Sequence, residues 1–223
     1  MQYIYLLPAA FFAPIIHEWV KALCSTFQGD PTPRNTGYLT ANPFKYFEPI
    51  GFLFAMAFGF GWGNPTPTTA LHYRDRKRGV LVTYLTPVLV NFLLGIGSAA
   101  LVGIIAVRAM PISDPNILFL LIRFSHPESS LVIISLVLLA NFAFININLA
   151  LFNLIPVYPL AANKILLQFS RPDTIARLNH YEKTLQVFLI LALVPWFGGV
   201  GPLARLFWPV SFRIIGFVWG IVV

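Results

Sequence analysis

Long stretches without charged side chains restrict the possible folds of this chain more than any other feature. Residues 80–107 contain no charged residue, and neither do residues 131–155. A helix that crosses a bilayer needs about 20 predominantly apolar residues. Over the whole chain 57% of residues are hydrophobic and 10% are charged, whereas a soluble domain carries about 25% charged residues. The sequence therefore predicts an integral membrane protein.

The apolar stretches predict an all-α polytopic fold with about five to six transmembrane helices. A shorter apolar segment at 49–62 contains several glycines and is predicted to be re-entrant. The polar residues 28–47 are expected to form a loop or short strands after the first helix. We expect one integral membrane domain over 1–223, with a core at 1–170 and a C-terminal helical pair at 171–223. The full spans are predicted at 3–27, 80–107, 131–155, 184–200 and 203–222.

Basic residues concentrate in two of the connecting segments. Residues 28–79 hold six Lys and Arg residues and residues 157–183 hold four, of fifteen in the chain. Cytoplasmic loops are enriched in Lys and Arg, so both segments are predicted to be cytoplasmic, with the N-terminus outside a bacterial inner membrane. This distribution accounts for the net charge of +7 without a nucleic-acid partner. The densest group, here named the basic cluster, is either a topology determinant or a site for acidic lipid or a partner; it consists of Arg74, Arg76, Lys77 and Arg78.

His17-Glu18-Trp19-Val20-Lys21 differs at one position from the zinc-protease motif His-Glu-x-x-His. In that motif two histidines bind zinc from one helix face, and the glutamate polarises the metal-bound water. The second histidine is here Lys21, whose ammonium group has no lone pair for a metal. Glu18 and Lys21 are three residues apart and could pair across one helix turn. Alternatively, Lys21 extends to the cytoplasmic interface.

Three further stretches stand in the order found in one known family. They are Gly29–Pro43, with its Gly-Asp-Pro-Thr opening, Phe60–Pro67, and Asn153–Lys164. Together with the His17 motif they resemble the site-2 protease family of intramembrane zinc metalloproteases, and are most similar to its small bacterial branch without a PDZ domain. The resemblance covers about residues 10–170. It implies that Gly29–Pro43 belongs to short strands near the active site, which pair with an extended substrate.

The resemblance also implies that the zinc site has been lost. Counted from Asn153 through Pro156, the aspartate that is the third zinc ligand of the family falls on Ala161, and the two glycines that follow it in the family fall on Ala162 and Asn163. In the family, a Gly-Pro pair stands shortly before an asparagine that aligns with Asn91. In this chain that pair is altered. His17 remains as the only ligand, so no cofactor is expected, and zinc would be expected only if the site were intact. The predicted relic of the protease site comprises His17, Glu18, Lys21, Asn91, Asn153, Pro156 and Ala161.

These changes predict an inactive homologue rather than an enzyme. The leading hypothesis is a structural or accessory subunit of a membrane protein complex, or a protein that binds transmembrane segments. Its partners would be membrane lipids and other integral membrane proteins. One alternative is an intramembrane zinc protease with an altered metal site, completed by a loop histidine such as His72, His126 or His180. Another is lipid or small-molecule binding in the vacated cavity.

Overall fold

The computed structural model describes residues 2–109, 131–195 and 200–222, and the regular secondary structure within these ranges is helical. Residues 110–130, which include His126 and lie between the predicted spans 80–107 and 131–155, are outside the described residues. So are residues 196–199, near the end of the predicted span 184–200. The described α-helices are α1 (Leu7–Phe27), α2 (Thr32–Asn35), α3 (Pro49–Phe58), α4 (Arg76–Ala109), α5 (Leu131–Asn153), α6 (Ala161–Phe169), α7 (Pro172–His180), α8 (Glu182–Leu193) and α9 (Pro202–Val222).

Three of the described helices are long and apolar enough to cross a membrane. They are Arg76–Ala106 within α4, Leu131–Asn153 and Pro202–Val222. The first predicted span, α1, has 21 residues, but its buried charged motif lowers its hydropathy. The predicted span at 184–200 corresponds to α8, which has 12 residues and is too short to cross a bilayer by itself. Membrane association is therefore supported, whereas the count of five to six spans stays a prediction.

The centre of the fold is the pair of helices α4 and α5, which run antiparallel. Val88 packs against Ala150 at one level, and Gly95 faces Ala143 and Ile147 farther along. Helices α1 and α9 pack on this pair. Trp219 of α9 is buried and donates a hydrogen bond from Nε1 to the carbonyl of Ala99 in α4, at 2.6 Å. Small residues at these crossings let the helix backbones approach closely, as is usual for helices packed in membranes.

The short strands expected at 28–47 are not formed. This segment contains α2 and a 3-10 turn at Pro43–Lys45, and otherwise lacks regular structure. The physical reason is its proline content: Pro31, Pro33 and Pro43 have no backbone N–H to donate to a strand ladder. Of the two predicted alternatives, loop or short strands, the segment is therefore mainly loop.

The segment predicted to be re-entrant is a short helix followed by an extended return. The side chain of Glu48 caps the start of α3 by accepting from the N–H of Gly51, and Gly59 ends the helix at φ 76°. Left-handed backbone at a helix C-terminus favours glycine. The chain then returns towards α1, with the N–H of Asn64 donating to the carbonyl of Tyr46 at 2.8 Å. Whether this segment enters a membrane stays a prediction.

Candidate functional site

The motif residues lie on one face of α1. Pro14, His17, Glu18 and Lys21 are spaced three or four residues apart, so their side chains share a helix face. All four are buried, because this face packs against α4, α5 and the extended return after α3. The sequence thus places two opposite charges and an imidazole inside the protein.

Glu18 is held by a side chain and by backbone. Lys21 Nζ lies 2.6 Å from Glu18 Oε2 and donates to Oε1 at 2.9 Å. The backbone N–H of Thr66 donates to Oε2 at 2.7 Å, and the hydroxyl of Thr66 donates to the carbonyl of Glu18 at 2.9 Å. The ammonium group also lies 5.9 Å from the centre of the Tyr84 ring. Lys21 is therefore paired inside the protein and does not extend to an interface.

His17 is oriented by a chain of amides from two other helices. Its Nδ1 lies 2.8 Å from Asn91 Oδ1, and Asn91 Nδ2 donates to Asn146 Oδ1 at 2.8 Å. Asn91 Nδ2 also contacts the carbonyl of Ala13, and Asn146 Nδ2 donates to the carbonyl of Phe142. Since carbonyls only accept, both amides have a fixed orientation and Nδ1 of His17 carries the proton. The lone pair of the neutral ring is therefore on Nε2.

A small cavity of about 50 Å³ brings several of the predicted residues together. The predicted site residues that line it are His17, Glu18, Lys21, Asn153 and Ala161, and Trp62, Gly63 and Tyr84 complete part of the wall. A cavity of this size has room for a few water molecules. Asn91 contacts His17 but does not line the cavity. Pro156 lines a neighbouring apolar groove, which shares Asn153 and Ala161 with the cavity. The fold thus gathers the predicted relic, except for Pro156, around one point.

Asn153 joins the end of α5 to the start of α6. Its Nδ2 donates to the carbonyl of Leu149 at 3.0 Å, and its Oδ1 accepts from the backbone N–H of Ala161 at 3.5 Å. Both ends of this amide are used in holding the chain, so Asn153 positions Ala161 at the wall of the cavity. Asn163, two residues later, is buried and donates to the carbonyl of Pro156.

A larger apolar groove of about 270 Å³ adjoins this cavity and shares Trp62, Pro159 and Leu160 with it. Its other wall is α8, and Phe152 also contributes to its lining. The ammonium group of Lys164 lies 4.6 Å from the centre of the neighbouring Tyr158 ring. The small cavity and this apolar groove therefore share part of one wall.

A second polar centre lies where α1 ends. The buried carboxylate of Asp30 accepts hydrogen bonds from Ser25 Oγ, the N–H and hydroxyl of Thr32, and the N–H of Thr69. Burial raises the pKa of Asp30, but these bonds outweigh burial and hold that pKa below its ordinary value. His72 Nδ1 lies 3.3 Å from Asp30 Oδ1. This carboxylate fastens the chain before α4 to the end of α1.

One comparison with known proteins finds a relative with a named activity. The chain is 30% identical over 182 residues to "Putative zinc metalloprotease YwhC" of Bacillus subtilis strain 168. The match covers 81% of this chain and 76% of that protein. The chain belongs to this family of membrane metalloprotease-like proteins. No family model matches the chain, and no solved structure matches it significantly.

Membership of this family raises the question of zinc, and the side chains at the cavity do not fit the ion. A catalytic zinc is held by about three protein ligands. The cavity offers the imidazole of His17 and the carboxylate of Glu18, but that carboxylate is paired with the ammonium group of Lys21, and Ala161 presents a methyl group. Among residues 2–109, 131–195 and 200–222, no three His, Cys, Asp or Glu side chains are grouped closely enough to hold a metal. His72 contacts Asp30, away from the cavity lining.

Two residues of the site were not found from the sequence. Thr66 lies in a quoted motif, but its bonds to Glu18 depend on how the chain returns after α3. Asn146 lies in an apolar span, and a polar residue there usually needs a partner. That signal marks Asn146 as important but does not identify Asn91 as its partner, since the pairing depends on the packing of α4 against α5.

Proposed function

We propose that this protein is a non-catalytic member of its metalloprotease family, which binds transmembrane segments as an accessory subunit of a membrane complex. One observation carries the proposal: the Lys21 ammonium is paired with Glu18 in the cavity where the family motif would bind metal. A cation held at this position repels a metal ion electrostatically. It also engages the carboxylate that would act on a metal-bound water.

The environment of Glu18 supports the non-catalytic half of the proposal. A general base needs an oxygen within hydrogen-bond reach of the proton that it removes. Oε2 accepts from the N–H of Thr66 and Oε1 accepts from Lys21. Both oxygens thus have fixed protein donors, and Thr66 belongs to a segment packed tightly on α1. Glu18 therefore acts as a structural link between helix and loop.

The apolar groove supports the binding half of the proposal. It lies beside the small cavity and is bounded by Trp62, Phe152 and Leu189. Apolar side chains of a neighbouring membrane helix would fill the groove. Water would then be excluded from this side of the cavity. The proposed orientation, with 28–79 and 157–183 in the cytoplasm of a bacterium, rests on the charge distribution.

The metal content of the purified protein tests the first half. Elemental analysis should find far less than one zinc per chain. The variant Lys21→His with Ala161→Asp, which restores the nominal ligands, serves as the comparison and should bind zinc. We expect it to cleave no substrate of an active relative, because Ala162 and the buried Asn163 occupy the places of the two glycines of the family motif. One zinc per wild-type chain, lost in His17→Ala, would disprove the proposal.

Site-directed photocrosslinking tests the second half. A photoreactive residue at Leu189, in the groove, should crosslink to another membrane protein in native membranes. The control is Phe217, which is 71% exposed on α9 and should crosslink mainly to lipid. If both positions gave only lipid adducts, the accessory role would be rejected while the metal result could still stand.

A further inference from the structure

The basic cluster is exposed, and no carboxylate in the described part of the chain pairs with it. Arg74, Arg76, Lys77 and Arg78 are all exposed, and none of them takes part in an ion pair among the described residues. The one carboxylate among them, Asp75, accepts from the backbone N–H groups of Lys77 and Arg78 at 2.9 and 3.1 Å. Asp75 thus caps the start of α4 instead of pairing with a cation, and within the described ranges the side-chain donors of the cluster face no carboxylate.

Apolar side chains are exposed at the same end of the molecule. The N–H of Arg74 donates to the carbonyl of Gln28 at 3.0 Å, which places the cluster against the end of α1. Phe27 is 75% exposed and Leu71 is 77% exposed, and both lie within a few residues of that bond along the chain. The apolar span Arg76–Ala106 begins inside the cluster. Cations and exposed apolar groups therefore meet at the level where a bilayer core would end.

We propose that the basic cluster, together with Phe27 and Leu71, binds the phosphate headgroups of anionic phospholipids in the surrounding bilayer. Arginine forms paired hydrogen bonds to phosphate oxygens, and lysine adds a mobile positive charge. Phe27 and Leu71 enter the boundary between headgroups and acyl chains. Because Asp75 accepts from the N–H groups of Lys77 and Arg78, we assign the phosphate donors to the side chains of the cluster. This surface is independent of the proposed accessory function.

The position of the cluster favours lipid over an acidic protein segment. The charges lie at the first turn of a spanning helix, where anionic headgroups are already present at high local concentration. The adjoining apolar side chains, Phe27 and Leu71, would be buried among lipid acyl chains. A soluble acidic segment would leave them exposed to water. The occupant is therefore a component of the membrane itself.

Lipid titration of the purified full chain in neutral detergent tests this inference. Energy transfer from tryptophan to a dansyl-labelled lipid reports binding of phosphatidylglycerol or of phosphatidylcholine with the same chains. The wild type should prefer phosphatidylglycerol by about tenfold, and the triple variant Arg76→Gln, Lys77→Gln, Arg78→Gln should lose most of this preference. The matched control is Arg171→Gln, Arg177→Gln, Lys183→Gln, which removes the same residue types from exposed positions.

Three results would overturn the proposal. The first is equal affinity of the wild type for the two lipids, which needs no variant to be stable. The second is an equal loss in the matched control, because the effect would then reflect net charge alone. The third is displacement of phosphatidylglycerol by polyglutamate at equal charge concentration, which would assign the surface to an acidic protein. Retention of binding against polyglutamate and soluble glycerol phosphate supports a lipid site.

Discussion

At the scale of single residues, the site is a set of buried polar groups that satisfy one another. Lys21 and Glu18 have side chains that are 11% and 9% exposed. A single charge buried in a protein without a partner is costly, and a counterion beside it lowers that cost. The pair thus stabilises the fold chiefly because each buried charge has its counterion beside it.

The first prediction concerns this pair. Glu18→Gln leaves Lys21 buried without its counterion and should lower the free energy of unfolding by about 3 kcal/mol. The double variant Glu18→Gln, Lys21→Met removes both charges and should recover a large part of the loss. Thermal unfolding in detergent, followed by circular dichroism, measures both effects. Additive losses in the double variant would show that the two side chains do not stabilise each other.

The second prediction follows from Asp30. Its pKa in the folded protein lies below the ordinary value of 3.8, so its carboxylate stabilises the fold above about pH 4. This contribution is lost as the pH falls through the lowered pKa. Asp30→Asn should reduce the free energy of unfolding by about 2 kcal/mol at neutral pH. The difference from wild type should shrink below pH 4, and a constant difference down to pH 2 would contradict the linkage.

The sequence located much of the site at this scale. Residue spacing on α1 was enough to place His17, Glu18 and Lys21 on one face, and the family motif placed Ala161 opposite them. The roles of Thr66 and Asn146 could not be predicted, since each depends on a contact between segments far apart in sequence. Such contacts follow from packing, which local periodicity does not encode.

At the scale of elements, α3 and the extended return after it depend on close backbone contact. A Cβ atom on Gly51 would lie 2.1 Å from the carbonyl oxygen of Trp62, and one on Gly61 would lie 2.2 Å from the carbonyl oxygen of Gly51. The return segment therefore packs directly on the helix backbone. This contact carries the chain to Thr66 and hence to Glu18.

The third prediction uses two glycines in helices. Gly51→Ala should lower the free energy of unfolding by about 1–3 kcal/mol, because the added methyl group forces the backbones apart. Gly97→Ala is the matched control, since a Cβ there meets nothing within 4 Å and alanine favours the helix. The midpoint temperature of thermal unfolding should fall for Gly51→Ala and rise for Gly97→Ala. A neutral Gly51→Ala would show that the return segment is not held against α3.

The elements themselves were predictable where hydropathy decides them. The centres of α4, α5 and α9 were identified because a long apolar run has few alternatives to a helix in a membrane. The length of α8 and the absence of strands at 28–47 could not be predicted from hydropathy. Both depend on local breakers and on tertiary contacts, which the overall polarity of a segment does not reveal.

At the scale of the whole molecule, the fold gathers the two basic segments at one end. Helix α4 begins at Arg76 beside the end of α1, and Val88 of α4 packs near Ala150 and Ala161. The chain that follows α5 therefore emerges on the side where α4 begins. At 1.5 Å per residue, the 34 residues of α4 extend about 51 Å, compared with a hydrocarbon core of about 30 Å.

The fourth prediction is the orientation of this end. Single cysteines at positions 75 and 175, in a Cys24→Ala background, should be labelled from the cytoplasm. A cysteine at position 114, outside the described residues, should be labelled from the opposite side. A membrane-impermeant maleimide applied to intact cells and to inverted vesicles distinguishes the two. Labelling of 75 and 114 from the same side would contradict the charge-based topology.

The ion pair between Glu18 and Lys21 also has an evolutionary consequence, which is entrenchment. Replacement of either residue alone would leave the other charge unpaired in an apolar interior. The two positions can then change only together, or through an intermediate that folds poorly. A histidine at position 21, for example, would leave Glu18 without its counterion in this interior. Each residue of the pair therefore limits which substitutions the other can accept.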